Sequence, residues 1–130
     1  MNTEIIADCM KASFADTPFP VVVQRLAAAG VRSYRADLLQ LRNTYYDGAA
    51  QAVDEAMPLT DTPEIAAAFN ADAVAATVKA IQRKEIGYAE FLRRIMENGC
   101  ASYEVYFGGR KAVYVGRDGD VYIEPFPQAA

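Results

Sequence analysis

Residues 99–127 read GCASYEVYFGGRKAVYVGRDGDVYIEPFP, and residues 30–58 read GVRSYRADLLQLRNTYYDGAAQAVDEAMP. Laid over each other without a gap, they share Gly30/Gly99, Ser33/Ser102, Tyr34/Tyr103, Tyr45/Tyr114, Glu55/Glu124 and Pro58/Pro127. The same shift of 69 positions carries residues 2–61 onto 71–130. It adds the identities Ala7/Ala76 and Arg25/Arg94, and matches like with like at Phe19/Tyr88, Val22/Phe91, Val23/Leu92, Leu26/Ile95 and Met57/Phe126. A fixed long period marks copies of one supersecondary unit. The chain of 130 residues therefore reads as one domain: copy one (2–61), a connecting segment (62–69) and copy two (70–130).

The unit is clearer in copy two. After Gly99 the hydrophobic period is two, and strands are predicted over 101–107, 111–115 and 121–124. Gly108-Gly109 and Asp118-Gly119 supply the hairpin turns between them. Upstream, Val74, Val78 and Ile81 recur at helical spacing over 72–83. Phe91, Leu92 and Ile95 do the same over 88–98, where Gly99 gives the left-handed stop.

Copy one repeats the order. A helix is expected over 3–14, with Asn2 or Thr3 as its cap. Thr17-Pro18-Phe19-Pro20 breaks the chain, and Pro20 falls in the first turn of a second helix that Gly30 ends. Strands follow over 31–38 and 43–46. A third over 51–55 is predicted from the sister copy, because its Ala, Asp and Glu are poor strand formers. The connecting segment predicts a short helix, with Pro63 in its first turn and Ile65 and Phe69 on one side.

The expected fold class is α+β, an internal duplication of a helix–helix–three-stranded antiparallel meander unit with a pseudo-two-fold. One such unit is marginal alone. Two can share one core, and joining their edge strands removes two exposed edges.

Composition narrows the function. A net charge of −4 without clustered Lys and Arg speaks against nucleic acid and against anionic membrane surfaces. No stretch approaches the ~20 apolar residues of a membrane span. The N-terminal MNTEIIADCMKASF lacks the basic and apolar regions of a signal peptide, so a cytoplasmic location is expected. The chain has no histidine, which removes most catalytic triads, most zinc sites and the commonest general base. Cys9 lies over Val78 and Cys100 over Val31, so both read as buried free thiols, with a Cys9–Cys100 disulfide as the alternative. No catalytic residue, metal site or cofactor is read from the sequence.

The repeated polar and aromatic residues supply the candidates. Tyr34 and Tyr103 read as core-margin side chains. Tyr45 and Tyr114, with Arg25 and Arg94, are the candidate walls of a ligand cleft where the copies meet. Arg25 with Glu55, and Arg94 with Glu124, are expected as ion pairs within each copy. Ser33 and Ser102 read as strand-entry hydrogen bonders, since no base accompanies them. Asp118 and Asp120 read as a solvated turn. Tyr46, Tyr106 and Tyr122 have no tyrosine counterpart in the other copy and are the candidate interface residues.

Tyr88-Ala-Glu-Phe-Leu and the segments 99–107, 111–116 and 118–127 resemble an uncharacterised family of bacteria and prophages, the YbcV-like proteins, which often carry the label "phage envelope protein". Copy one is similar through Phe19-Pro20, Gly30-Val31-Arg32-Ser33-Tyr34 and Tyr45-Tyr46. The resemblance covers most of the chain and rests on turn and strand motifs. It implies a prophage association and no catalytic residue. The expected function is a small non-enzymatic protein-interaction or regulatory protein, phage-related and cytoplasmic, with a protein partner or as a homo-oligomer. The alternatives are a small-molecule-binding protein or unconventional enzyme with a cleft between the copies, and a phage structural component. A cleft of ~300 Å³ or more with convergent polar groups favours the small-molecule reading, whereas a flat exposed aromatic patch favours a protein interface.

Overall fold

Both meanders form, and they fuse edge to edge. In the computed structural model, which describes residues 1–127, copy one contributes β1 (Ser33–Asp37), β2 (Arg42–Tyr46) and β3 (Ala52–Ala56). Copy two contributes β4 (Cys100–Tyr106), β5 (Lys111–Gly116) and β6 (Val121–Pro125). They make one six-stranded sheet in the order β3-β2-β1-β4-β5-β6, antiparallel throughout. Helices α1 (Thr3–Phe14) and α2 (Phe19–Ala28) precede the first meander, and α3 (Ala71–Gln82) and α4 (Tyr88–Glu97) precede the second. The architecture is α+β, with helix–helix–three-strand order in both copies. Shifted by 69, α2 coincides with α4 and β3 with β6, residue for residue.

The seam between the copies is the pair β1–β4. Its register places Ser33 opposite Tyr106, Arg35 opposite Glu104 and Asp37 opposite Ser102. Arg35 and Glu104 are themselves equivalent under the 69-residue shift, so the pseudo-two-fold passes between them. Alternation along the strands buries Tyr34, Ala36, Tyr45, Tyr103, Val105 and Tyr114 on one face, against Ile6, Leu26, Val74, Leu92 and Ile95 of the helices. Among the described residues, the other face bears no helix.

The caps explain where the helices begin. Asn2 Oδ1 accepts from the Ile5 amide at 3.1 Å, and Asn70 Oδ1 from the Ala73 amide at 3.0 Å. Helix α4 starts on Gly87, which offers no side-chain cap. Asp16 of copy one supplies it instead, its Oδ1 accepting from the Tyr88 amide at 2.9 Å. A Cβ on Gly87 would lie 2.8 Å from that oxygen, so the close approach needs the glycine. The α1–α2 corner of copy one is thereby tied to the first turn of α4.

Two expectations are corrected. Residues 62–69 form no helix. Their backbone instead runs along the end of α4: the Ala66 amide donates to Met96 O, the Asn70 amide to Asn98 O, and Arg117 Nη2 to Ile65 O at 2.6 Å. Partners outside the segment compete successfully with helical hydrogen bonds, and Ile65 is buried in the process. At the β4–β5 turn the left-handed residue is Arg110 (φ +54°), as Leu41 (φ +55°) is at the β1–β2 turn, and Gly108 and Gly109 do not take that conformation.

Gly99 is held by two constraints at once. Its φ is +92°, and an added Cβ would fall 2.2 Å from the Ala68 carbonyl oxygen of the connecting segment. Gly108 meets nothing within 4 Å. Gly99→Ala is predicted to lower unfolding free energy by about 2 kcal/mol or more, and Gly108→Ala to change it by less than about 0.5 kcal/mol. Urea denaturation of the two variants beside the parent checks this.

Candidate functional site

The inner face of β4–β6 is only partly covered by helices. A cavity of about 630 Å³ lies between it, the start of α2, the end of α3 and the α3–α4 corner. Its floor is Tyr34, Tyr103, Val105, Ala112 and Tyr114; Phe91 and Tyr88 come from α4, and Phe19 and Phe126 stand opposite. Phe19 meets Phe126 edge-on, with ring centres 5.6 Å apart. Phe91 meets both Tyr103 and Tyr114 edge-on at 6.4 and 6.3 Å. These are favourable aromatic geometries, and they make a wall of interlocked rings.

The wall carries a few polar groups. The hydroxyls of Tyr88 and Tyr103 are hydrogen-bonded to each other. The Tyr114 hydroxyl has no hydrogen-bond partner among the described residues, although its side chain is buried. Glu124 lies on the inner face of β6, where Lys79 Nζ of α3 donates to its two oxygens at 3.4 and 3.3 Å. The Tyr122 hydroxyl also donates to it. Burial, which disfavours the phenolate, holds Tyr34, Tyr103 and Tyr114 well above the ordinary tyrosine range and pushes Tyr88 up to about 12. The carboxylate of Glu124 adds to the effect at Tyr114. These phenols therefore stay protonated and neutral at physiological pH, able to donate or accept one hydrogen bond each.

The two copies differ at this spot, and the differences open the site. Asn43 stands where copy two has Ala112. Asn43 Nδ2 donates to the Tyr45 hydroxyl at 3.0 Å, inside the core, where Tyr45 is 2% exposed. With Ala112 in that place, the Tyr114 hydroxyl keeps no such partner. Met57 is buried where copy two has the half-buried Phe126. Asp16 caps α4, but its counterpart Glu85 is exposed at the cavity mouth, and α2 has no side-chain cap.

The structure redistributes the predicted site residues. Tyr114 lines the cavity, whereas Tyr45 is sealed in the core of copy one. Arg25 and Arg94 sit on the exposed sides of their helices, away from it. Arg94 Nε lies 3.7 Å from Glu90 on its own helix, one turn earlier. The expected Arg94–Glu124 pair is therefore replaced by Lys79–Glu124, because β6 packs its inner face against α3. Arg25 and Glu55 are not paired either. The three interface candidates do not form one patch. Tyr46 and Tyr106 flank Ser33 on the helix-free face, whereas Tyr122, opposite Tyr114, belongs to the inner face. The helix-free face also exposes Val121 and Ile123 of β6, which alternation alone signals. Both cysteines are buried free thiols, and burial pushes Cys100 up to about 12.

Sequence reasoning passed over Tyr88, Phe126, Ala112 and Glu124 as site residues. Glu124 is an identity with Glu55, so agreement between the copies marks it, whereas Ala112 and Phe126 are marked by disagreement with Asn43 and Met57.

No family model matches the chain. It is similar to uncharacterised proteins of Mycobacterium tuberculosis and Mycobacterium bovis, 26% identical over 108 residues. The similarity covers 83% of this chain and 66% of each relative, so the chain spans just under two thirds of their length. No helix among the described residues is long and apolar enough to cross a membrane.

Buried phenols make stability fall in alkali. A tyrosine whose value is raised on folding holds its proton more tightly in the folded chain. Its contribution is complete below the unfolded value of about 10 and is lost as pH rises toward the folded value. Above about pH 10 each buried tyrosine is predicted to steepen the loss by up to about 1.4 kcal/mol per pH unit. Denaturation midpoints from pH 8 to 12, followed with tyrosinate absorbance, check this. Tyr103→Phe should make the decline shallower.

Proposed function

We propose that this protein binds a small, largely apolar molecule in the cavity between the α2 start, the α3–α4 corner and the sheet. The observation that carries the reading is the 630 Å³ volume lined by aromatic side chains with a few inward polar groups. It falls in the size range and chemistry of small-molecule sites, in which an apolar wall supplies affinity and a few polar groups fix orientation. The Tyr114 hydroxyl and the carboxylate of Glu124 are the orienting groups. The phenols are held neutral by burial, which suits recognition better than proton abstraction. The prophage association implied by the YbcV-like resemblance names an origin and no ligand. A protein-contact role has less support, since the tyrosine trio is divided between two faces.

The neutral fluorescent probe N-phenyl-1-naphthylamine should bind saturably, at one probe per chain. Ala112→Asn, which installs the residue copy one uses to satisfy Tyr45, should weaken binding at least tenfold. Ile123→Lys, on the opposite face, should leave it unchanged. Absence of saturable binding, or an undiminished signal in a folded Ala112→Asn variant, would overturn the reading.

A further inference from the structure

We infer that the ligand is an organic cation, an apolar aromatic or aliphatic body carrying a positive charge. The inference rests on the binding role just proposed and names its ligand class. Among the described residues, three carboxylates line the cavity, Asp16, Glu85 and Glu124, against the single ammonium of Lys84, and no arginine is among them. Asp16, Lys84 and Glu85 are all exposed, so none of them fixes the charge of the interior. The buried charged group of the wall is Glu124, 9% exposed.

Its partner Lys79 offsets that charge, so the cavity meets the carboxylate end of an ion pair. Lys79 approaches from α3 with half of its side chain in solvent, and its ammonium is not part of the lining. Where Lys79 stands in copy two, copy one has Met10. A carboxylate offers about four acceptor positions, and the described contacts of Glu124 take three: two from Lys79 and one from Tyr122. One acceptor position is left for a ligand.

The rings point the same way. Aromatic faces carry negative potential and attract cations, most strongly where water is excluded. Seven lining residues are aromatic, and all the tyrosines among them are neutral phenols. The rim already makes such a contact, with the Arg110 guanidinium carbon 5.8 Å from the centre of the Phe126 ring. An anionic ligand would meet these faces and Glu124 with no buried cation to compensate, at the cost of desolvating its own charge.

The test uses two ions of nearly equal size and shape but opposite charge, tetraphenylphosphonium and tetraphenylborate, competing against N-phenyl-1-naphthylamine on the intact chain. The phosphonium should displace the probe at a concentration at least tenfold lower than the borate. Glu124→Gln should reduce that ratio at least fivefold. Equal or tighter binding of the borate, with the neutral probe still bound, would overturn the cation assignment and leave the binding role standing. An unchanged ratio in a folded Glu124→Gln variant would do the same. If neither ion nor the neutral probe binds, the binding role itself fails and the assignment with it. The ratio on the parent chain decides the matter even where the variant does not fold.

Discussion

Everything in this molecule depends on the antiparallel seam between β1 and β4. Each meander alone would leave an open strand edge and half a core. Backbone pairing along the seam closes both edges and brings the helices of the two copies over one continuous surface. The register is fixed because a slip of one residue would turn Tyr34 and Ala36, or Tyr103 and Val105, toward water. At its centre Arg35 faces Glu104 at 3.2 Å. The two side chains are 43% and 32% exposed, so the pair is worth only about 0.2–1 kcal/mol. Its meaning lies in symmetry. A two-fold axis between identical units forces the central residue to face its own copy, and two arginines there would repel. Fusion into one chain lets the position carry opposite charges.

The same freedom shapes the cavity. An identical pair of units would have two closed cores or two open ones. Here copy one is filled: Asn43 satisfies Tyr45, and Met57 is buried. In copy two Ala112 leaves space above Tyr114, and Phe126 stands at the rim instead of filling the core. The corner of copy one gives its carboxylate to α4 through Asp16, yet the corner of copy two gives nothing back to α2. Each change is small. Together they leave one half filled and the other with an open cavity, with the seam holding the two in register.

Much of the fold was legible because periodicity and punctuation are local. The helix over 3–14 and the second-copy hairpins follow from apolar spacing and from turn residues near the strand ends. Strand β3 is instructive: AVDEA has no strand propensity to recommend it, and only its alignment with VYIEP reveals it. The connecting segment misled because Pro63, Ile65 and Phe69 suit a helix locally, while the Met96 carbonyl that takes the Ala66 amide lies thirty residues away. The site was less legible for a related reason. Repetition draws attention to what is kept, so Arg25/Arg94 and Tyr45/Tyr114 stood out together. Of those four only Tyr114 faces the cavity, while Tyr34, Tyr103 and Glu124, also kept between the halves, line it as well. Side chains that changed after duplication, Ala112 and Lys79 among them, carry the difference between a core and a pocket.

That distinction also bears on energetics. An open cavity of this size lowers stability, because its lining atoms lose packing partners. Copy one shows that the same backbone can be filled, so the open arrangement in copy two is not imposed by the fold. The cost falls on the half whose wall also holds a buried carboxylate, an expense that packing alone never requires. Both deficits would be relieved by one event: an apolar body entering the cavity restores the missing contacts, and a positive charge on that body faces Glu124 and the aromatic rings. Under the proposed binding role, the two deficits of copy two are complementary to a single kind of molecule.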